Sequence, residues 1–340
     1  MTTAPVETRR RVPLWQRIPV VHQLRQSVGL QRGMLIAGLV ITGIFVLTAL
    51  FAPLLAPYGY AQLKDADGVA FGAQQAPGGA HLLGTTVGGF DVLSRVIWGS
   101  QTALAVIIVA VILSIFAGVI LGLLSGYIGG WLDRVLVVIA DAVFAFPTLL
   151  LAIVVAIAVS GGQSSLWGGI FAAAVSITVV YIPQYFRVIR AETVRIKSEA
   201  YVESAKVVGS STGRIMFRHV LRNATRSLPL LFTLNSSEAI LTLAGLGFLG
   251  FGIQPTAAAE WGYDLNRSVT DVTSGIWWTS VFPGAAIVLV VLGITLVGES
   301  LNDLADPRLR TRRKSTAVPS PTAATSPQLD GSDLAEEVAR

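Results

Sequence analysis

The sequence predicts an all-α polytopic membrane protein with six transmembrane helices. Three observations carry that prediction. Of 340 residues, 53% are hydrophobic and 13% charged, and a mean hydropathy of +0.66 lies outside the range of soluble globular chains. Six apolar stretches with at most one charge each reach about 20 residues, the length that crosses a hydrocarbon core. Basic residues then fall almost wholly on one side of those stretches.

Residues 1–33 mix Arg9, Arg10, Arg11, Arg17, Arg25 and Arg32 with Val12, Leu14, Trp15, Ile18, Val20, Val21 and Leu24. Such a segment either lies along the inner headgroup layer or forms a basic tail, and Pro13 and Pro19 interrupt any helix before Val20. No cleavable signal peptide is apparent, because the first apolar run follows six arginines and is long enough to span; it is expected to remain as an anchor. The first span is Met34 to Leu55. The Gly-rich segment from Ala56 to about Ser100 carries few hydrophobic runs and suits an ordered outer loop or cap. Spans over Thr102 to Tyr127, Val135 to Ala158 and Leu166 to Phe186 follow, the last two joined by the uncharged turn Gly161-Gly162-Gln163-Ser164-Ser165. The fifth and sixth are Leu228 to Leu249 and Val281 to Gly298. The outer segment between them holds Glu260, Trp261, Trp277 and Trp278, and its tryptophans read as headgroup anchors. After Pro307 a basic patch, a stretch rich in Ser, Thr, Pro and Ala, and Asp330, Asp333, Glu336 and Glu337 compose a disordered tail. The domains are thus a basic segment 1–33, a transmembrane domain 34–306 with a long loop 187–226, and a tail 307–340.

With the N-terminus inside, inner segments hold 22 of the 25 Lys and Arg residues, leaving Lys64, Arg95 and Arg267 outside. Both termini are therefore expected in the cytoplasm. The net charge of +5 is accounted for by this topology, so a nucleic-acid partner is not expected. The absence of Cys removes disulfides, thiol catalysis and thiolate metal sites. His22, His81 and His219 all fall outside the predicted spans, which argues against an intramembrane hydrolase and its buried base. No convincing internal repeat supports a secondary transporter.

The loop from Arg187 to Arg226 is too long for a simple connection and carries nine basic residues with Glu192, Glu199 and Glu203. Its centre predicts one short helix over Ala200 to Val208, stopped by Gly209 in a left-handed conformation, and another started by Ser211 or Thr212. Tyr201, Ala205 and Val208 fall at i, i+4 and i+7 and share a face. That face either docks into a groove of a partner or packs on the bundle itself. Arg214, Arg218, Arg222 and Arg226 recur every four residues, a stripe that suits either anionic lipid or acidic groups of a partner.

Glu203-Ser204-Ala205 followed by Gly209, with Arg218-His219-Val220-Leu221-Arg222-Asn223 beyond it, resembles the cytoplasmic signature of inner-membrane permease subunits of ABC importers. Ser204 replaces an Ala there, and Arg222 stands where the family usually has Pro. The resemblance narrows to the C-type subunit of the dipeptide, oligopeptide and nickel branch through four further stretches. These are His81-Leu82-Leu83-Gly84-Thr85 with Asp91-Val92-Leu93-Ser94-Arg95, Phe146-Pro147-Thr148-Leu149-Leu150-Leu151-Ala152-Ile153, Leu246-Gly247-Phe248-Leu249-Gly250-Phe251-Gly252 with Glu260-Trp261-Gly262, and Asp303-Leu304-Ala305-Asp306-Pro307-Arg308-Leu309-Arg310. Thr86, Phe90 and Gly247 depart from the usual residues.

The resemblance implies a type I ABC importer permease fold in the inner membrane and a non-catalytic subunit of a peptide importer. A nickel or other small-solute importer is the alternative. It implies as partners a homologous B-type permease, ABC ATPases and an extracytoplasmic solute-binding protein, with membrane lipid around them. ATP and Mg²⁺ would be used by the ATPases, and this chain, which has no Gly-x-x-x-x-Gly-Lys-Ser/Thr loop, would bind no cofactor or metal and have no catalytic residue. Tyr201, Glu203, Ser204, Ala205, Val208 and Gly209 become the expected ATPase-coupling residues. Within the spans Asp141 is expected to bond inside the bundle. Glu238 lies deeper and either meets a peptide amino group in the substrate pathway or faces the companion permease as a paired or neutral group.

Overall fold

The structure, a computed structural model, describes residues 30–160 and 166–305. The basic segment before Leu30, the 161–165 turn and the tail after Ala305 lie outside the described residues. Among the described residues the regular structure is helical, with isolated bridges only in the 56–91 segment.

α1 (Leu30–Leu50) is long enough, at about 1.5 Å per residue, to cross a bilayer. It ends before the predicted Leu55, and Pro53 sits in the first turn of a separate short helix, Ala52–Leu55. α2 (Val92–Ile128) starts earlier than Thr102 because Asp91 caps it, its Oδ2 accepting from the Ser94 N–H at 2.8 Å. The predicted third span is not one rod. α3 (Gly130–Ala145) and α4 (Thr148–Ser160) meet at 101° across Phe146 and Pro147. Pro147 holds the preceding Phe146 in extended backbone (φ −84°, ψ 138°), which stops α3.

α5 (Leu166–Lys197) carries on past the predicted Phe186, so the first basic residues of the 187–226 loop are helical. α6 (Ala200–Val207) follows. The chain then runs through Thr212–Arg214, a π-turn Ile215–Val220, Leu221–Ala224 and a 3-10 turn Thr225–Ser227 into α7 (Leu228–Phe248). The last change of pitch falls immediately before Pro229, whose ring crowds the carbonyl four residues back. α8 (Trp261–Thr273) and α9 (Trp278–Ala305) complete the order. Among the described residues five helices are long and apolar enough to cross a membrane, and the bent α3–α4 pair makes a sixth crossing if it counts as one span. The chain is a multi-pass membrane protein.

α2 and α5 run parallel and form the tightest seam. Gly118, Gly122 and Gly126 recur every four residues on α2 and face α5. A Cβ on Gly122 would lie 2.7 Å from the Phe186 carbonyl oxygen, and one on Gly126 would lie 2.8 Å from that of Arg190. Small residues at this spacing let backbones approach without side chains between them. Ser114 and Thr178 continue the seam by donating 3.2 Å hydrogen bonds to each other's helix, at the Thr178 and Ala110 carbonyls. α7 returns antiparallel on α5, with Tyr185 near Leu231 and the Tyr181 hydroxyl 3.2 Å from that of Thr242. Gly298 of α9 meets Thr233, and Gly293 meets Ile41 and Thr42 of α1.

The 56–91 segment and α8 form a cap at one end. Trp261 corrects the reading of its tryptophans as headgroup anchors. It is 3% exposed, its indole N–H donates to the Val96 carbonyl at 3.1 Å, and its ring lies edge-on to Phe45. Trp278 likewise donates to Thr85 O, while Trp277 is exposed. His81 and Asp91 of the first outer motif are joined at 2.9 Å, and Arg95 pairs with Asp264 of α8. Glu260 caps α8, accepting from the N–H groups of Gly262 and Tyr263 at 2.7 Å each. Its carboxylate occupies the space that a Gly247 side chain would need, which accounts for glycine at that departure from the family motif.

Candidate functional site

At the opposite end, α6 has one fully buried anchor. Val202 is fully buried among Leu123 of α2, Ile189 and Ile196 of α5, and Ile215, Met216, Val220 and Ala224 of the following helix. Burial of one such side chain is worth about 1.5–3 kcal/mol, and it sets how the helix is rotated. Lys197 Nζ donates to the Gly126 carbonyl at 3.0 Å, and Arg195 binds both Glu192 and Glu199, which secures the turn between α5 and α6.

The rotation divides the predicted face. Ala205 packs against the buried cluster, and the Tyr201 hydroxyl accepts from Asn223 Nδ2 at 2.8 Å. Val208 is 84% exposed beside Val207 at 87%, a residue the periodicity did not single out. Ser204 uses its hydroxyl within the helix, donating to the Ala200 carbonyl at 2.9 Å. Glu203 and Lys206 are exposed and make no ion pair among the described residues. Gly209 has φ +81° and stops α6 as expected; no heavy atom lies within 4 Å of where its Cβ would be. Ser211 takes the next N-cap position without a side-chain cap bond. The result is a short anchored helix offering Val207, Val208 and Glu203 at its free side.

Arg222 leaves the helix unbroken, as its replacement of Pro predicts, but the π-turn changes the geometry of the arginine row. About 4.4 residues make one π turn, so Arg214 and Arg218 are not on a simple α-helical stripe. Arg214, Arg218, Arg222 and Arg226 are all exposed.

The bend between α3 and α4 opens a second place. α3 buries only Ala140 and is tied to the bundle by two ion pairs. Asp133 receives Arg190 at both oxygens and the Ser125 hydroxyl, and Asp141 receives Arg187 at 2.6 Å, which places Asp141 within the bundle's own bonding. Above them lies a cavity of about 270 Å³ bounded by Phe144, Phe146, Thr148, Tyr181, Gln184 and Glu238. Glu238 is exposed in the single chain.

Comparison with known proteins matches residues 118–311 to the family of binding-protein-dependent transport system inner membrane components. Residues 31–77 match the N-terminal transmembrane domain of oligopeptide transport permease C. The chain is 36% identical to the dipeptide transport system permease protein DppC of Alkalihalophilus pseudofirmus, over 81% of this chain and 86% of that protein. It is similar to glutathione transport system permease proteins GsiD: 34% identical to that of Pectobacterium atrosepticum, over 87% and 90% of the two chains, and 38% to that of Salmonella typhimurium, over 84% and 88%. With α3 to α9, the anchored α6 among them, inside the first match and nearly all of α1 inside the second, and with these relatives covered over most of their length, the chain belongs to the binding-protein-dependent transport system inner membrane component family, as a C-type permease of the dipeptide and oligopeptide branch.

Proposed function

We propose that this chain is one permease half of an ATP-driven importer of short peptides, and that α6 is where ATP-driven motion enters it. Similarity over most of the chain to permeases named for dipeptide and glutathione transport supports the substrate class. A B-type permease supplies the other half of the pathway, a solute-binding protein delivers substrate at the cap end, and two ATPases bind the loop end in the cytoplasm. ATP and Mg²⁺ belong to those ATPases. Both chain termini are cytoplasmic in this arrangement.

One observation carries the coupling role: α6 is locked to three elements through Val202 while Val207 and Val208 project bare. An apolar tip of this kind fits a groove on an ATPase, with Glu203 and Gly209 setting the approach. When ATP closes the paired ATPases, the tip is displaced, and the Val202 cluster passes the displacement to α2, α5 and the helix leading into α7. Tyr201, Ser204 and Ala205 hold the shape of α6 rather than form its outermost contact.

The chain has no cysteine, so one introduced at Val207 is the single thiol of this permease. Val207→Cys should cross-link to the copurified ATPase, with a yield that changes when ATP is added. Val207→Glu with Val208→Glu should abolish peptide uptake while the complex still assembles. Normal uptake in the double variant, or the absence of an ATPase from the purified complex, would refute the coupling role.

A further inference from the structure

We infer that the cavity at the α3–α4 bend binds the ammonium group of the transported peptide through the carboxylate of Glu238. This rests on the peptide-importer reading above.

Glu238 stands near the midpoint of α7, so about 15 Å of helix lies on either side of it. Its neighbours on the same face, Leu234 and Leu241, are 40% and 53% exposed in the single chain. A lone carboxylate at the centre of a span costs about 2.5–3.5 kcal/mol by insertion scales, so a face carrying one is not left to lipid. It lines a path or meets protein.

The charge is also uncompensated. Among the described residues Glu238 has no hydrogen-bond or ion-pair partner for its side chain. Arg187 lies over the ring of Phe144, a lining residue, at 4.1 Å, but its charge is met by Asp141. The described lining has one acid, one amide at Gln184, the hydroxyls of Thr148 and Tyr181, and the aromatic rings of Phe144, Phe146 and Tyr181. That set selects a cation. Carboxylate and amide oxygens accept from its N–H groups, and ring faces attract its charge.

The class of cation follows from the number of ligands. A divalent metal needs several anionic or imidazole donors around it, and one carboxylate with one amide and two neutral hydroxyls falls short. An ammonium has three donors and is satisfied by Glu238, Gln184 and water. A volume of about 270 Å³ is below that of pockets enclosing whole small ligands, so it houses the terminal residue while the rest of the peptide extends toward the companion permease.

The test uses the whole complex in proteoliposomes, with uptake and binding-protein-stimulated ATP hydrolysis read together. A dipeptide with a free amino terminus is compared with its N-acetyl form. Glu238→Gln should lower uptake of the free-amino peptide about tenfold, the loss of one charged hydrogen bond, without changing ATP hydrolysis or uptake of the acetylated form. Glu238→Asp should retain most of the uptake and Glu238→Lys should abolish it. If the binding protein rejects the acetylated peptide, the Gln, Asp and Lys series decides alone, and equal uptake by all three overturns the site. An equal loss for both peptides, or a parallel loss of ATP hydrolysis, assigns Glu238 to assembly or coupling and overturns it too. A wild-type complex that takes up no peptide removes the peptide-importer reading itself; one that transports peptide regardless of residue 238 removes only this site.

Discussion

Arg95 and Asp264, 169 residues apart in the chain, form one buried ion pair, with the Arg95 Nε 2.7 Å from Oδ1 and 2.8 Å from Oδ2. Both side chains are nearly closed to solvent, and Arg95 Nη1 also donates to the Tyr60 carbonyl at 3.1 Å. The pair thus ties α2, α8 and the 56–91 segment at one point. A single charge left in that space would have no counter-charge, so Arg95→Ala or Asp264→Ala should cost about 3–5 kcal/mol. Replacing both with Met and Leu should cost much less than the sum of the single changes. Thermal unfolding of the four proteins in detergent measures the coupling, and additive losses would show that the two groups act independently.

Glu260 gives the cap a pH dependence. Burial pushes its carboxyl up to about 8, against the lowering effect of the two backbone N–H groups it accepts from. Between its ordinary value of 4.5 and about 8 the folded protein holds a proton that the unfolded chain has lost. Stability is therefore greatest below that window and falls as pH rises through it, by at most about 1.4 kcal/mol per unit. Melting curves across this range should show the decline in the wild type and a flattened profile in Glu260→Gln. An equal slope in the two proteins would assign the pH dependence to another group.

The seam between α2 and α5 should tolerate no side chain at its centre. At Gly122 an added Cβ meets main-chain atoms, the Phe186 carbonyl at 2.7 Å and the Arg190 nitrogen at 3.0 Å, and neither can turn aside as a flexible side chain would. Gly122→Val should force the helices apart and destabilise by about 1–3 kcal/mol or more, as overpacking does. Gly33→Val, where no atom lies within 4 Å of the added Cβ, is the matched control on α1. A loss of assembled complex confined to the first variant is the expected result.

How much of this was legible in the sequence differs residue by residue. Hydropathy marks the spans because a helix in lipid must satisfy its own backbone, and that condition is local. Gly209 is legible for the same reason: a left-handed helix stop is decided within a few residues. Pro147 was in view within its motif, yet the apolar run continues through it, so composition alone reads α3 and α4 as one span. Trp261 was misread because a tryptophan near a span is usually at the headgroups, whereas its partner carbonyl is 165 residues away. The face of α6 was only half legible. Periodicity groups Tyr201, Ala205 and Val208, but the burial of Val202 against residues from three elements decides which of them turn outward. Glu238 could be placed in a span, while Gln184 and Phe144 beside its cavity belong to helices that the sequence does not bring together.

Gly209 separates the shape of α6 from its surface. Its φ of +81° is a conformation that β-branched residues rarely adopt, yet the space around it is open, so Gly209→Val introduces backbone strain without a clash. The hydrogen bonds that close α6 converge there, from Gly209 N to the Lys206 carbonyl at 2.9 Å and from Ser210 N to that of Ala205 at 3.0 Å. A residue that resists the left-handed turn loosens these bonds and moves Val207 and Val208 relative to the Val202 anchor. The bundle itself, whose core lies elsewhere, keeps its packing. Gly209→Val should therefore leave the melting temperature within a few degrees, a shift of about 1–2 kcal/mol, while lowering peptide uptake per ATP hydrolysed severalfold. Gly209→Asn, which accepts positive φ more readily, should recover much of that ratio. If the Val variant imports peptide with wild-type efficiency, the turn at Gly209 does not transmit force.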